Sequence, residues 1–356
     1  MPIIEGDIQR ILVRATNWVG DAVMSLPALQ ALRSAFPSAR IAILARPWVA
    51  DVSARDSFAD EVIPYTSPRG WKDLGGKWAV AQDLRSRRFD LAVLLPNAFE
   101  AAALVWLAGI ARRVGYARDG RGFLLTHAVP VLEKGAIPRH ERFYYLELLK
   151  RSGLIDSIPP SDEIRLGGAA MARMAGLARF DALGLRNVTG VSPGAAFGTA
   201  KRWLPERFAE AVAQLGRPAA LFGSKDERDL CEGIAADLRA RGIPVHNFAG
   251  ETTLGEYIEL AAACDAYLTN DSGSMHIASA LNVPTVAVLG ATDHVATGPT
   301  GPLARVVREP VECSPCLLRE CPIDHRCMTA IPAERVAREA RELIALERLT
   351  RFGHPS

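Results

Sequence analysis

The chain has 356 residues, of which 49% are hydrophobic and 23% are charged, a composition typical of a globular protein with enough length for two domains. No run of about 18 apolar residues occurs, so we expect no helix that spans a membrane. The 42 basic and 40 acidic side chains leave a net charge of +2, and the slight basic excess in residues 1–150 (20 against 15) is far too small to predict a nucleic-acid partner.

Predicted strands and helices alternate through the first part of the chain. Short apolar runs predict strands at 11–15, 41–45, 61–65 and 91–95, and apolar residues at helical spacing predict helices at 21–36, 47–55 and 78–88. The pattern continues less regularly through 99–108, 113–116 and 126–131, and a helix is predicted at 140–152. A βαβ series of this kind predicts a parallel sheet.

The first predicted strand runs into a turn, Thr16-Asn17-Trp18-Val19-Gly20-Asp21, which opens a helix. Gly20 permits a tight turn, and Asp21 falls at the start of the helix. By position alone, Asp21 is best interpreted as a carboxylate favoured by the helix dipole. The functional alternative is a general base at the mouth of a crevice, where it accepts a proton from a substrate hydroxyl.

A segment with two prolines and two glycines at 155–168 predicts a linker, and a second series follows it. After a helix at 169–184, strands are predicted at 188–192, 219–222, 245–248, 266–268 and 285–289, with helices at 205–215, 226–241 and 254–263. An amphipathic helix at 332–349 closes the chain. We therefore predict an α/β protein with two doubly wound, Rossmann-like domains, residues 1–168 and 169–331, and a C-terminal helix and tail at 332–356.

The second series opens with a loop of small residues that runs from Val191 to Trp203. Its Gly, Pro and Ala positions let an anion approach the main chain, and Lys201 and Arg202 supply positive charge; a plain surface loop with two solvated bases is the alternative. No G-x-G-x-x-G follows a predicted strand, which disfavours a NAD-dependent oxidoreductase. The near miss Gly75-Gly76-Lys77 lacks the rest of a P-loop.

Residues 265–293 predict a strand, a turn, a helix and a second strand. Ser272 is a natural N-cap, and Gly273 fills the first turn of the helix without bulk. Such a turn lies at the carboxyl end of a strand, where the free N–H groups of the helix donate hydrogen bonds to a phosphate or pyrophosphate. An isolated D-S-G turn is more often a simple helix cap, but His276 lies near the same helix end and favours the ligand interpretation.

Four of the six cysteines cluster late in the chain, with His325 among them: Cys313, Cys316, Cys321 and Cys327. Thiolates and imidazole are zinc ligands, but this spacing differs from the usual paired knuckles, so structural zinc is a minority hypothesis beside free thiols. The N-terminal residues contain no apolar signal core, so we expect a cytoplasmic, reducing location in which disulfides are disfavoured. Cys231 and Cys264 are predicted to be buried.

These motifs resemble those of the bacterial lipopolysaccharide heptosyltransferases of glycosyltransferase family 9, and most closely the heptosyltransferase II subgroup. The resemblance rests on the NWVGD turn, the AKRW loop, the unit NDSGSMHIASALNVPTVAVLG, the stretch LAGIARRVGYARDGRGFLLTHAVP and the late CSPCLLRECPIDHRCM, in the order of the family and over nearly the whole chain. It implies a GT-B fold with the sugar donor bound by the C-terminal domain. The implied reaction is inverting transfer of L-glycero-D-manno-heptose from ADP-heptose to the first heptose of the lipid A–Kdo inner core.

The resemblance also implies roles for individual residues. Asp21 is then the catalytic base, and the donor site comprises Thr199, Lys201, Asp271, Ser272, Gly273 and His276, the first two as phosphate ligands. Acceptor-side contacts are expected from Asn17, Arg118, Asp119 and Arg121. A carboxylate beside a diphosphate would repel it, so we expect Asp271 to face the ribose, the heptose hydroxyls or the helix amides. Glu100 departs from the basic residue that related sequences commonly have there.

No cofactor is expected for catalysis. The sequence contains no D-x-D triplet, which argues against a Mg²⁺ ion held by carboxylates at the diphosphate. A lipid acceptor implies transient contact with the cytoplasmic face of the inner membrane. Two alternatives stay open: a GT-B enzyme that uses another nucleotide sugar, including an epimerase-like reaction, and a noncatalytic nucleotide-binding module.

Overall fold

Two separate units make up the chain in the computed structural model, Met1–Ser161 and Asp162–Ser356. The structure describes residues 8–66, 73–133, 135–160 and 163–352. The division falls seven residues before the predicted boundary at 168, inside the predicted linker, of which residues 161 and 162 lie outside the described part.

The first unit is built on a six-stranded parallel sheet with strand order β3-β2-β1-β4-β5-β6. Its strands are β1 Arg10–Arg14, β2 Arg40–Ala45, β3 Glu61–Pro64, β4 Leu91–Leu94, β5 Arg112–Tyr116 and β6 His127–Val129. Its helices are α1 Val19–Met24, α2 Leu26–Ala35, α3 Pro47–Ala54, α4 Leu74–Ser86, α5 Phe99–Leu107 and α6 Arg142–Arg151. The central strands are buried along nearly their whole length, as in sheets covered by helices on both faces. The strand order reverses between β1 and β4, which marks the carboxyl ends of these strands as the ligand edge.

The second unit repeats this plan, with strand order β12-β11-β10-β7-β8-β9. Its strands are β7 Thr189–Ser192, β8 Ala219–Leu221, β9 Val245–Asn247, β10 Ala266–Asn270, β11 Thr285–Val288 and β12 Ala304–Val307. Its helices are α7 Ala169–Ala182, α8 Pro205–Leu215, α9 Arg228–Ala240, α10 Leu254–Ala263, α11 Gly273–Ala280, α12 His294–Thr297, α13 Arg326–Thr329 and α14 Ala333–Phe352. Here the reversal falls between β7 and β10, which pair with Ser192 opposite Thr269.

The structure differs from the predicted elements at several places, and the short helices α12 and α13 were not predicted. The helix predicted at 21–36 is two helices, because the chain breaks at Ser25 and restarts with Pro27 in the first turn of α2. Strand β12 was not predicted. The last helix is part of the second unit, since Val336, Ala340 and Leu343 are buried in the core cluster of that sheet. Among the described residues, no helix has the length and apolar character needed to cross a membrane.

Candidate functional site

In the second unit, Asn270 connects the end of β10 with the loop that follows β7, at the place where the strand order reverses. It ends β10 and is completely buried. Its side-chain oxygen accepts a hydrogen bond from the backbone N–H of Trp203 at 2.8 Å, and its side-chain NH₂ donates to the carbonyl of Pro193 at 2.7 Å. One amide therefore fixes both ends of the loop at residues 193–203. The role of this residue was not predicted from the sequence, although a polar amide at the end of an apolar run could have indicated it.

Lys201 and Asp271 come from the two adjacent strand ends and form an ion pair. The ammonium of Lys201 donates to Oδ2 of Asp271 at 2.7 Å, and the hydroxyl of Thr292 donates to the same oxygen. The side chain of Asp271 is 5% exposed and that of Lys201 is 14% exposed, so the pair is well shielded from water. In the structure, the carboxylate of Asp271 thus contacts Lys201 and Thr292. A carboxylate that is paired in this way repels a nearby diphosphate much less than a free one.

A second cation, Arg319, contacts the same aromatic ring as Lys201. The ring of Phe197 has the Lys201 ammonium 5.0 Å and the Arg319 guanidinium 5.2 Å from its centroid. Gly198 has to be a glycine, since a Cβ atom there would collide with the backbone carbonyl of Arg319. The loop is therefore packed closely against the cysteine-rich segment, and each of these two segments contributes one cation to the ring of Phe197.

The first turn of α11 completes this edge of the sheet. Ser272 is its N-cap residue in an extended conformation, as predicted, although its hydroxyl makes no capping hydrogen bond and lies 3.4 Å from the Thr269 hydroxyl. Gly273 opens the helix, and His276 follows on it, buried. The first N–H groups of a helix have no intrahelical partner, so they suit an anion. The structure brings Thr199, Lys201, Asp271, Ser272 and Gly273 to one edge, with Thr199 exposed in the short 3₁₀ turn Thr199–Lys201.

In the first unit, Asp21 lies in the first turn of α1, directly after β1, and is half-buried. Two side chains from the start of α6 share its surroundings. The pKa of the Glu141 carboxyl is raised, mainly by desolvation and secondly by the negative charge of Asp21, whereas the positive charge of Arg118 lowers it. The same two causes raise the pKa of Tyr145 well above its ordinary value. Asp21 is therefore close enough to Glu141 and Tyr145 for its negative charge to act on both side chains.

Asn17 stabilises the turn that carries Asp21. Its backbone carbonyl accepts a hydrogen bond from the indole N–H of Trp48 at 2.9 Å, and its side-chain oxygen accepts one from Arg14 at 2.7 Å. Arg14 ends β1 and Trp48 follows β2. These bonds connect the turn to the ends of two neighbouring strands and so fix the position of α1.

The predicted acceptor-side residues after β5 fall into two classes. Arg118 and Asp119 are exposed in a turn, with their charged groups 3.9 Å apart. Arg121 is completely buried, donates to the carbonyls of Tyr116 at 3.0 Å and of Pro96, and has its pKa lowered by burial to about 10. The structure thus gives Arg121 the role of holding two loops together, because no part of its side chain is exposed to an acceptor.

The four late cysteines are free thiols, with Cys327 buried and Cys313 exposed. The pKa of Cys327 is raised to about 11, mainly by burial and to a smaller extent by the three neighbouring thiols. Within the described part of the chain, no three His, Cys, Asp or Glu side chains are arranged to hold a metal ion, so the zinc hypothesis has no geometric support. The predicted burial of Cys231 and Cys264 is confirmed.

Comparisons with known proteins agree with these features. The model of a family described as glycosyltransferase family 9 (heptosyltransferase) matches residues 77–326. Lipopolysaccharide heptosyltransferase 2 of Escherichia coli (strain K12) is 35% identical over 312 residues, which cover 84% of this chain and 88% of that protein. The solved structure of E. coli ADP-heptose lipopolysaccharide heptosyltransferase II superposes with a TM-score of 0.82 at 32% identity and covers 96% of this chain and 100% of that one. A second E. coli heptosyltransferase structure, 19% identical, has the same fold with a TM-score of 0.73 over 94% of this chain and 99% of that one. The predicted GT-B fold is confirmed.

Proposed function

This chain belongs to glycosyltransferase family 9, the heptosyltransferases, and we propose that it transfers L-glycero-D-manno-heptose from ADP-heptose to the first heptose of the lipopolysaccharide inner core, with inversion at the anomeric carbon. The relatives named heptosyltransferase 2 support this reaction. The observation in the fold that carries it is the Lys201–Asp271 pair beside the first turn of α11. This edge offers an ammonium, a hydroxyl and helix amides, which are the groups that bind a diphosphate.

The donor occupies the edge of the second sheet in this proposal. Lys201 and the hydroxyl of Thr199 bind the two phosphates, and the backbone N–H groups of Ser272 and Gly273 donate hydrogen bonds to the remaining phosphate oxygens. Asp271 holds Lys201 in place, and His276 lines the nucleotide side of the site. Arg319 adds positive charge next to Lys201 through the shared ring of Phe197. Fixed donors of this kind stabilise charge that develops on a leaving group.

The chemical step is a single displacement. Asp21 accepts the proton of the acceptor hydroxyl as that oxygen forms its bond to the anomeric carbon of heptose. The bond from this carbon to the ADP oxygen breaks, and the electron pair leaves with ADP, whose charge is taken up by Lys201 and the helix amides. We assign no step to a metal ion, because the sequence has no D-x-D triplet.

The acceptor is assigned to the ligand edge of the first sheet, with Asn17, Arg118 and Asp119 as contacts. Four aromatic side chains on this edge are exposed to water, each just after a different strand: Trp18, Trp48, Phe99 and Phe123. Exposed aromatic residues at the carboxyl ends of four parallel strands share one edge of the sheet and suit a lipid-linked sugar. We propose transient contact of this edge with the cytoplasmic face of the inner membrane.

The test is a transfer assay with the purified chain, ADP-heptose and truncated core acceptors, followed by mass measurement of the acceptor. The proposal expects a gain of one heptosyl unit, and expects none with the Asp21→Asn variant. UDP-linked sugars in parallel reactions separate this donor from the alternatives. Transfer from a UDP-sugar but not from ADP-heptose would overturn the donor assignment. Nucleotide binding without transfer from any donor would favour the noncatalytic module.

A further inference from the structure

Asn97 and Tyr144 form a hydrogen-bonded pair at the ligand edge of the first unit. Asn97 follows β4, and Tyr144 lies in the first turn of α6. The side-chain NH₂ of Asn97 donates to the Tyr144 hydroxyl at 3.0 Å, and this hydroxyl can donate back to the amide oxygen at 3.2 Å. Both residues are half-buried, so solvent reaches each of them.

Arg121 determines which way the amide of Asn97 points. Its buried guanidinium donates to the carbonyl of Pro96 and, at 3.4 Å, to the side-chain oxygen of Asn97. A guanidinium has only N–H donors, so the amide oxygen and not the NH₂ has to face it. The NH₂ group is therefore held toward Tyr144.

The Tyr144 hydroxyl is a second oriented donor. While its oxygen accepts from Asn97, its proton can turn from the amide oxygen to a ligand oxygen, because a hydroxyl rotates freely. The ring itself is fixed, since it stacks on Tyr116 with centroids 4.3 Å apart and makes an edge contact with Tyr145 at 5.9 Å. The pair thus presents polar groups in defined positions, as a site for a neutral hydroxyl group requires.

The two loops that Arg121 joins also carry a pair of exposed aromatic rings. Phe99 begins α5, and Phe123 lies in the short 3₁₀ turn Gly122–Leu124. Their ring centroids are 6.1 Å apart, and Phe99 is 38% and Phe123 77% exposed. The face of an aromatic ring carries partial negative charge and attracts the slightly positive C–H groups of a sugar ring. Aromatic faces near oriented hydrogen-bonding groups suit a sugar better than a lipid chain, which makes no hydrogen bonds.

Tyr144 is also close to the proposed base. Its neighbours Glu141 and Tyr145 have raised pKa values, mainly because of desolvation and secondly because of the negative charge of Asp21. A ligand that is hydrogen-bonded to Tyr144 therefore lies in the region where this charge acts.

We propose that the amide, the phenol and the two exposed rings form a subsite for a neutral pyranose ring of the acceptor. The phenylalanine rings contact the C–H face of the sugar, and Asn97 and Tyr144 form hydrogen bonds with a hydroxyl other than the one that reacts. Arg121 is a positioning residue that acts through Asn97. The inference rests on the proposed function, because it names the part of the acceptor that lies beside the base.

Tyr144→Phe provides the first test, because it removes one hydroxyl and keeps the ring contacts. The acceptor KM should rise roughly 3- to 10-fold, the effect of losing one neutral hydrogen bond, while the KM for ADP-heptose and the Tm stay the same. Ser86→Ala, which removes an exposed hydroxyl at the end of α4 in the same unit, is the matched control and should change none of these values. An unchanged acceptor KM in Tyr144→Phe would overturn the proposal.

Acceptors that each lack one non-reacting hydroxyl separate sugar binding from a structural role. With one of these deoxy acceptors, the native chain and Tyr144→Phe should have equal KM values, because the partner of the phenol is then missing. With the others, the full difference should remain. A difference that persists with every deoxy acceptor would mean that the phenol only supports the fold, and would overturn the subsite.

Phe123→Leu tests the aromatic rings, since leucine keeps an apolar side chain but has no aromatic face. The acceptor KM should rise severalfold, and the rise should be the same for a lipid-linked acceptor and for a water-soluble acceptor without lipid. A rise confined to the lipid-linked acceptor would assign Phe123 to contact with lipid and overturn its place in the subsite.

Binding of a methyl glycoside of L-glycero-D-manno-heptose, measured without a donor, keeps this inference separate from the proposed reaction. Saturation-transfer difference NMR should detect the glycoside with the native chain and with Ser86→Ala, and the signal should be severalfold weaker with Tyr144→Phe and Phe123→Leu. Failure of transfer with this binding intact would contradict the reaction and leave the subsite. Equal signals from the native chain and both variants, or no signal from the native chain, would contradict the subsite.

Discussion

The ammonium of Lys201 donates to Oδ2 of Asp271 at 2.7 Å across 70 residues of sequence and so connects the loop after β7 with the turn after β10. The pair is shielded, and Thr292 holds the same carboxylate oxygen. A lysine fixed in this way is preorganised, since it loses little side-chain freedom when a phosphate arrives. Asp271 therefore acts on the donor through Lys201.

Replacing Lys201 with Ala should weaken ADP binding by roughly 10- to 100-fold, the effect of losing one charged hydrogen-bond donor. Isothermal titration calorimetry with ADP measures it. Lys225→Ala, at an exposed position of the same unit, is the matched control and should bind ADP as the native chain does. Unaltered affinity in Lys201→Ala would rule this residue out as a phosphate ligand.

Asp271→Asn should destabilise the free protein, because it leaves the Lys201 ammonium shielded without its counter-charge. We expect a loss of roughly 1–3 kcal/mol in the free energy of unfolding, the cost of leaving one buried polar partner unmet. ADP should restore part of this loss, since its phosphates supply the missing negative charge. Thermal unfolding with and without ADP therefore should give a larger ADP-induced rise in Tm for the variant than for the native chain. An equal rise in both would contradict the proposed contact between Lys201 and the diphosphate.

The strand and helix pattern was largely predictable because the central strands are buried on both faces and read as uninterrupted apolar runs. Strand β12, Ala304–Val307, escaped prediction because it is an edge strand of four residues in which Arg305 is exposed. The roles of single polar residues were less predictable. Nothing local indicates that Arg121 is buried while Arg118, three residues earlier, is exposed, or that Asp271 pairs with Lys201. Both outcomes depend on which loops the folded sheet brings together.

Asp21→Asn should abolish transfer and leave ADP affinity nearly unchanged, because a general base acts on the proton of the acceptor and not on the donor. Loss of such a base typically reduces turnover by about 10²- to 10⁴-fold. Steady-state kinetics with ADP-heptose, together with ADP calorimetry, separates the two effects. Asp83→Asn, which removes a surface carboxylate paired with Arg87 in the same unit, serves as the control. A large loss of ADP affinity in Asp21→Asn would contradict the role of base.

Glu141 allows the charge on Asp21 to be measured directly. The pKa of its carboxyl is raised from 4.5, first by desolvation and then by Asp21, while Arg118 lowers it. Asp21→Asn should therefore shift the Glu141 titration to lower pH, and Arg118→Gln should shift it to higher pH. The ¹³C NMR signal of the carboxyl, assigned with a Glu141→Gln variant, reports both shifts.

The raised pKa of Glu141 also determines how this carboxyl changes the stability of the protein with pH. Because the folded state holds the Glu141 proton to a higher pH than the unfolded state does, this contribution to stability is fully present below 4.5 and is lost as the pH rises through the folded pKa. The loss should be smaller in Asp21→Asn and larger in Arg118→Gln, as measured by urea unfolding at a series of pH values. If both variants titrated and unfolded like the native chain, Asp21 and Glu141 would not interact, and the placement of the proposed base beside Glu141 would be wrong.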